Sequence, residues 1–187
     1  SGKHAAMLAT CVAAGWPADG YLDPEHPLQR AIEARLSAAA GEPVAAVVVD
    51  GCGAPQHGLS LTGLARGVGS LVAAAEGTPE RAVADAMRAH PWHVAGTGRE
   101  DTDLMAAVPG LLVKGGADGV HVAALPGLGA VALKLDDGGD RGRMPVLAAA
   151  LVRLGVDAAA LSRWAVTPVT GGDGVVGEVR PSAALAG

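Results

Sequence analysis

The chain has 187 residues, enough for one domain with a real core or for the larger part of one. Half of its residues (50%) are hydrophobic, yet it has no Phe, one Tyr and three Trp, so its core has to be built from closely packed Ala, Val and Leu. A formal net charge of -5 with scattered Lys and Arg offers no basic footprint, which excludes nucleic acid and an anionic membrane as partners.

Cys11 and Cys52 form neither a disulfide framework nor a CxxC pair, and a reduced, cytoplasmic setting is expected. Lys3 and His4 before the apolar run Ala5 to Ala14 imitate a secretory signal, and Leu8-Ala9-Thr10-Cys11 imitates a lipoprotein cleavage box. The chain begins without Met and no apolar stretch is long enough to span a bilayer, so an internal start is expected instead.

In chain order, Lys3 to Ala14 has small and apolar residues on every face and reads as a buried, central helix. Glu25 to Ala40 reads as an amphipathic helix, with Leu28, Ile32 and Leu36 at helical spacing. Val44 to Val49 is a short β-branched run, expected as a buried strand that enters a tight turn at Asp50-Gly51-Cys52-Gly53. Helices are expected at Leu61 to Glu76, at Pro79 to Ala89 behind a Thr78 cap, and at Thr102 to Ala107. The period then changes: Gly119 to Leu125 and Ala130 to Asp136 read as an antiparallel hairpin joined by Pro126-Gly127-Leu128-Gly129. Met144 to Leu154 returns to a helix and Gly174 to Arg180 supplies a last strand. Helices gathered before a C-terminal antiparallel sheet, with no βαβ repeat, give an α+β class over a single domain fragment, residues 1–187.

Side chains suited to chemistry concentrate at two element ends. Ser1-Gly2-Lys3-His4 opens the first helix, and Asp50-Gly51-Cys52-Gly53-Ala54-Pro55 ends a strand, so hydroxyl, amine, imidazole, carboxylate and thiol lie where scaffolds place function. Taken alone, Lys3 also reads as a solvated helix-end charge, Cys52 as an inert thiol, His4 as a helix-start histidine and Asp50 as a turn carboxylate. Lys134 sits in the strand-like run Ala130-Val131-Ala132-Leu133-Lys134-Leu135, where a charge is costly unless it is paired, functional or facing solvent from an edge.

Together with Gly96-Thr97-Gly98-Arg99 and Ala132-Leu133-Lys134-Leu135-Asp136-Asp137-Gly138, these motifs stand in an order and spacing that resemble the asparaginase II family over nearly the whole chain. That family contains the rhizobial-type, serine-dependent L-asparaginases, whose fold is similar to serine β-lactamases and serine-dependent glutaminases. The resemblance implies such a fold lacking its N-terminal part. It also implies an amidohydrolase that converts L-asparagine to L-aspartate and ammonia through a serine acyl-enzyme.

In the family a Cys immediately before the Ser-Gly-Lys-His motif, the Lys of that motif and the Cys of Asp-Gly-Cys hold zinc. Lys3 and Cys52 are thereby implied metal ligands, with the third ligand upstream of Ser1. His4 is implied to hold a substrate carboxylate and Asp50 its α-amino group, while Arg99 is a further candidate for a carboxylate through a bidentate pair. Lys134 corresponds to a catalytic lysine on the strand lining the cleft, able to act as base to a serine hydroxyl if desolvated. The family's nucleophilic serine and its Ser-x-x-Lys partner lie upstream of everything here, so Ser1 is not that serine, and the chain alone is expected to be inactive and to need the missing N-terminal segment. A homodimer is the default assembly.

Two readings of other classes stay open. One is an N-terminal-nucleophile amidohydrolase using Ser1, although such folds begin with a strand and Ser1 leads into a helix. The other is a non-catalytic intracellular binding domain in which Lys3, His4, Asp50 and Cys52 merely cap elements.

Overall fold

The computed structural model describes residues 2–186. The chain divides into two compact units, Ser1–Gly63 and Leu64–Gly187. Among the described residues, no helix is long and apolar enough to cross a membrane.

The first unit contains α1 (Gly2–Ala14), α2 (Pro27–Ala40) and an antiparallel hairpin of β1 (Ala46–Val49) and β2 (Pro55–Gly58). The helix expected to be buried and central is largely exposed: only Cys11 of α1 is buried, and Val12 is 77% exposed. Its all-round apolar pattern is made mostly of Ala, which offers little area per residue, so the pattern permits burial without driving it. α2 begins at Pro27 because His26 caps it, the ring Nδ1 accepting from the Leu28 N–H at 3.1 Å. It ends at Gly41, whose left-handed backbone directs its N–H to Ser37 O at 3.0 Å.

Strand β1 also departs from expectation. Its β-branched residues do form a strand, but every one of its positions is exposed, Val49 at 78%. A β-branched run favours the extended backbone whether or not a second layer covers it. Strand β2 has no counterpart in the sequence reading, because Pro55-Gln56-His57-Gly58 carries no β-branched or aromatic residue.

α3 (Leu61–Ala73) carries the chain into the second unit. There α4 (Pro79–Ala89) starts where expected, Thr78 Oγ1 accepting from the Arg81 N–H. α5 (Pro91–Ala95) and α6 (Glu100–Ala107) follow. Three antiparallel strands come next, β3 (Leu112–Gly115), β4 (Val120–Leu125) and β5 (Gly129–Lys134), with β4 in the middle. α7 (Arg143–Leu154), a 3-10 helix (Ala158–Trp164), a hairpin of β6 (Thr167–Gly171) and β7 (Gly174–Val179), and α8 (Ala183–Ala186) complete the chain. Helices with separate antiparallel sheets confirm the α+β class.

The period-2 alternation of the central sheet serves two cores. Val113, Ala123, Leu125 and Leu133 join Leu104, Leu147, Leu151 and Leu161 in the larger cluster. Leu112 and Ala124 join Val72 and Ala84 in the smaller one. Covered on both faces, β4 is buried from His121 to Leu125, and its apolar residues Val122 to Leu125 run without a polar break. The preceding turn needs glycine at Gly119, where φ is +73° and a Cβ would stand 2.8 Å from the Leu135 Cβ.

Candidate functional site

The hairpin turn of the first unit builds the first polar cluster. Asp50 closes the turn with its backbone: its N–H donates to Ala54 O, and its own carbonyl accepts from the Gly53 N–H, both at 2.8 Å. Gly53 takes φ +84°, which a side chain would resist. The Asp50 side chain is thereby fixed at the tip, with Oδ1 accepting from the Gly51 N–H at 2.8 Å. Its other oxygen gathers two of the residues singled out in the sequence: Lys3 Nζ donates to Oδ2 at 2.7 Å, and Cys52 Sγ lies 3.4 Å from the same atom.

Lys3 occupies the first turn of α1, where its charge opposes the positive end of the helix dipole and where the helix has no acidic residue of its own. Asp50 supplies that negative charge. The pair shifts both groups toward their charged forms: the Lys3 amine is raised above its ordinary range, chiefly by its hydrogen bond to Asp50 and then by that to Cys52. The Asp50 carboxyl is lowered, first by Lys3, then by Cys52 and by the Gly51 N–H. His4 turns to a different partner, its Nδ1 meeting the Tyr21 hydroxyl at 2.7 Å with the rings edge to face. Tyr21 escaped the sequence reading, although as the single Tyr of the chain it was a conspicuous residue.

The donor set bears on zinc. A thiol, an amine and a carboxylate converge on one point, and thiolate and nitrogen donors suit that ion. Among the described residues no three His, Cys, Asp or Glu side chains group closely enough to hold a metal, so this cluster is a partial donor set in which lysine must be counted, and Lys3 would first have to give up the proton that its bond to Asp50 favours. Ser1 lies outside the described residues.

In the second unit, Lys134 ends β5 opposite Val120; it is exposed, and its amine donates to Leu135 O. Arg99 precedes α6 without a side-chain cap and lines a pocket of about 160 Å³ with Lys114, Gly115 and Arg143. Beside this pocket lies a network that the sequence reading missed. His121 is fully buried, and its Nε2 meets Asp101 Oδ1 at 2.7 Å, while Asp101 Oδ2 accepts from the Gly115 N–H at 2.7 Å. Burial pulls the Asp101 carboxyl upward, but the bonds from His121 and Gly115 outweigh it and hold the group below its ordinary range. A histidine inside the apolar run Val120 to Leu125 was the available signal, since a buried imidazole needs a partner.

No curated protein matches the chain. The model of the L-asparaginase II family matches residues 1–181, which takes in both the Asp50 cluster and the Lys134 strand. With a match over nearly all of its length, the chain belongs to the L-asparaginase II family.

Proposed function

We propose that the protein is the C-terminal part of a serine-dependent L-asparaginase, hydrolysing the side-chain amide of L-asparagine to L-aspartate and ammonia. Family membership supplies the activity class, and the observation that carries the reading is the convergence of Lys3 and Cys52 on Asp50. On this reading the chain is one part of a single β-lactamase-like domain, and an upstream segment contributes the nucleophile and covers Lys134. The serine oxygen attacks the amide carbon while Lys134 accepts its proton and passes it to the departing ammonia; water then opens the acyl ester and releases aspartate.

Asp50 holds the substrate α-amino group, and His4 and Arg99 hold carboxylate. Lys3 and Cys52, with the upstream cysteine, would hold zinc, which when bound organises the site electrostatically. The enzyme is placed in the cytoplasm as a homodimer, the commonest soluble assembly.

Ammonia release from L-asparagine tests the reading. The chain alone should release essentially none, and the upstream segment, in cis or as a second chain, should restore turnover. Lys134→Ala should then lower the rate by about three orders of magnitude or more, because a base acting with its nucleophile contributes as a unit. Robust activity of the chain alone, abolished by Ser1→Ala, would overturn the proposal in favour of an N-terminal nucleophile. Full activity of the restored enzyme with Lys134→Ala would leave Lys134 as a solvated edge residue.

A further inference from the structure

Two of the six histidines stand apart from everything described so far. His26 commits both ring nitrogens to backbone groups, His4 meets Tyr21, and His121 meets Asp101. His90 and His93, in the second unit, are exposed, and among the described residues neither ring has a hydrogen-bond partner. They have each other: the ring centres are 5.7 Å apart, with the planes at 86°. Spacing of three residues at a helix start puts both on one face. With metal–nitrogen bonds of about 2.0 Å, two imidazoles on one ion hold their centres on the order of 5 Å apart. A small rotation of two exposed side chains therefore brings a nitrogen of each onto a shared ion.

The backbone beneath the pair is fixed. His90 closes α4, its N–H donating to Ala86 O at 3.0 Å, and it opens α5, where Pro91 is the first helical residue. The His93 N–H returns to His90 O at 3.0 Å. At the far end of α5, the Thr102 hydroxyl donates to Gly96 O at 2.7 Å, and Trp92 Nε1 donates to Thr97 Oγ1 at 2.8 Å. Ligands held on such a scaffold lose little further freedom when they bind.

Electrostatics admit a cation here. The eleven-residue α4 presents its negative end at His90, and the five-residue α5 opposes it with a shorter dipole. Arg88, the basic residue in the last turn of α4, is already committed to Asp85 and to the carbonyls of Ala84 and Gly110. Neutral imidazole is the commonest metal ligand, and it suits nickel, copper and zinc, where magnesium takes oxygen. Among the described residues no third His, Cys, Asp or Glu joins the pair.

We propose that His90 and His93 form a two-nitrogen site for a divalent first-row transition ion, Cu²⁺ and Ni²⁺ ahead of Zn²⁺ in their demand for nitrogen, with water in the open positions. The inference goes beyond the asparaginase reading and shares no residue with the zinc ligands proposed there.

Titration of the full chain with Ni²⁺ tests it through the indole N–H signals of the three tryptophans in NMR spectra. The Trp92 ring lies 5.2 Å from that of His93, whereas Trp16 belongs to the first unit and Trp164 is buried in the larger core. The paramagnetic ion should broaden the Trp92 signal saturably, that signal being identified by its loss in Trp92→Phe, and should leave the other two sharp. Excess Zn²⁺, which is diamagnetic and takes nitrogen, should restore it, and Mg²⁺ should not. His90→Gln and His93→Gln, both at the surface, should each weaken Ni²⁺ by at least about ten-fold, since each removes one of two donors. The proposal is overturned if the Trp92 signal does not respond, if Mg²⁺ restores it as Zn²⁺ does, or if either variant binds Ni²⁺ as well as the parent. Broadening confined to Trp16 would put the ion in the first unit and likewise overturn it, while leaving the asparaginase reading intact.

Discussion

The two units handle polar residues in opposite ways. In the first, Lys3, Asp50 and Cys52 meet at the exposed tip of a two-stranded hairpin whose valines face solvent. In the second, Asp101 and His121 meet beside a three-stranded sheet that is packed on both faces, and neither is more than 6% exposed. An exposed ion pair is screened by water and contributes little to stability, which leaves its groups free to meet an ion or substrate. A buried pair is held by a low dielectric and by the cost of leaving either partner unsatisfied, which suits it to fixing a backbone. The difference teaches that the chemistry proposed for the first unit and the architecture of the second answer to different forces.

If that contrast holds, substitutions should scale with the core they touch. The largest effect is expected from Leu147→Ala, fully buried on α7, which should cost the second unit about 3 kcal/mol in urea unfolding followed by tryptophan fluorescence. A loss well under about 1 kcal/mol would show that this core is loosely packed.

Asp101→Asn comes next, with an expected loss of about 2 kcal/mol at neutral pH, since His121 and Gly115 N–H lose their charged acceptor. The folded protein favours the Asp101 carboxylate, so the stability it adds is present above the unfolded pKa of about 4 and is lost as pH falls through the lower folded value. The gap between parent and variant should therefore narrow on acidification below about pH 4, and a gap that widens there would contradict the depressed carboxyl.

Thr78→Ala removes the cap of α4 and should cost about 1 kcal/mol, read in the same unfolding assay. The smallest effect belongs to the first unit: Val48→Thr, at a position 59% exposed, should change stability by no more than about 0.5 kcal/mol. A larger loss there would mean that the β1 valines are covered in solution, and the comparison would have to be redrawn.

Residue chemistry and local periodicity were sufficient for much of this molecule. Thr78 before Pro79 announced α4, the Pro126 to Gly129 turn announced the β4–β5 hairpin, and the spaced motifs around Lys3, Asp50 and Lys134 pointed to the family that the chain belongs to. These are short-range signals, written in caps, turn residues and alternation, and they need no knowledge of what packs on what. Only the tertiary structure decided burial and partnership. Nothing in an Ala-rich run or a Val run says whether a second layer will cover it, so α1 and β1 came out exposed. Nothing in the sequence pairs His4 with Tyr21, or Asp101 with His121 across 20 residues, because such bonds depend on where distant backbones come to rest. Asp50 became the hub of the candidate site for the same reason: its turn was legible in the sequence, but the approach of Lys3 from 47 residues away was set by the folding of the unit as a whole.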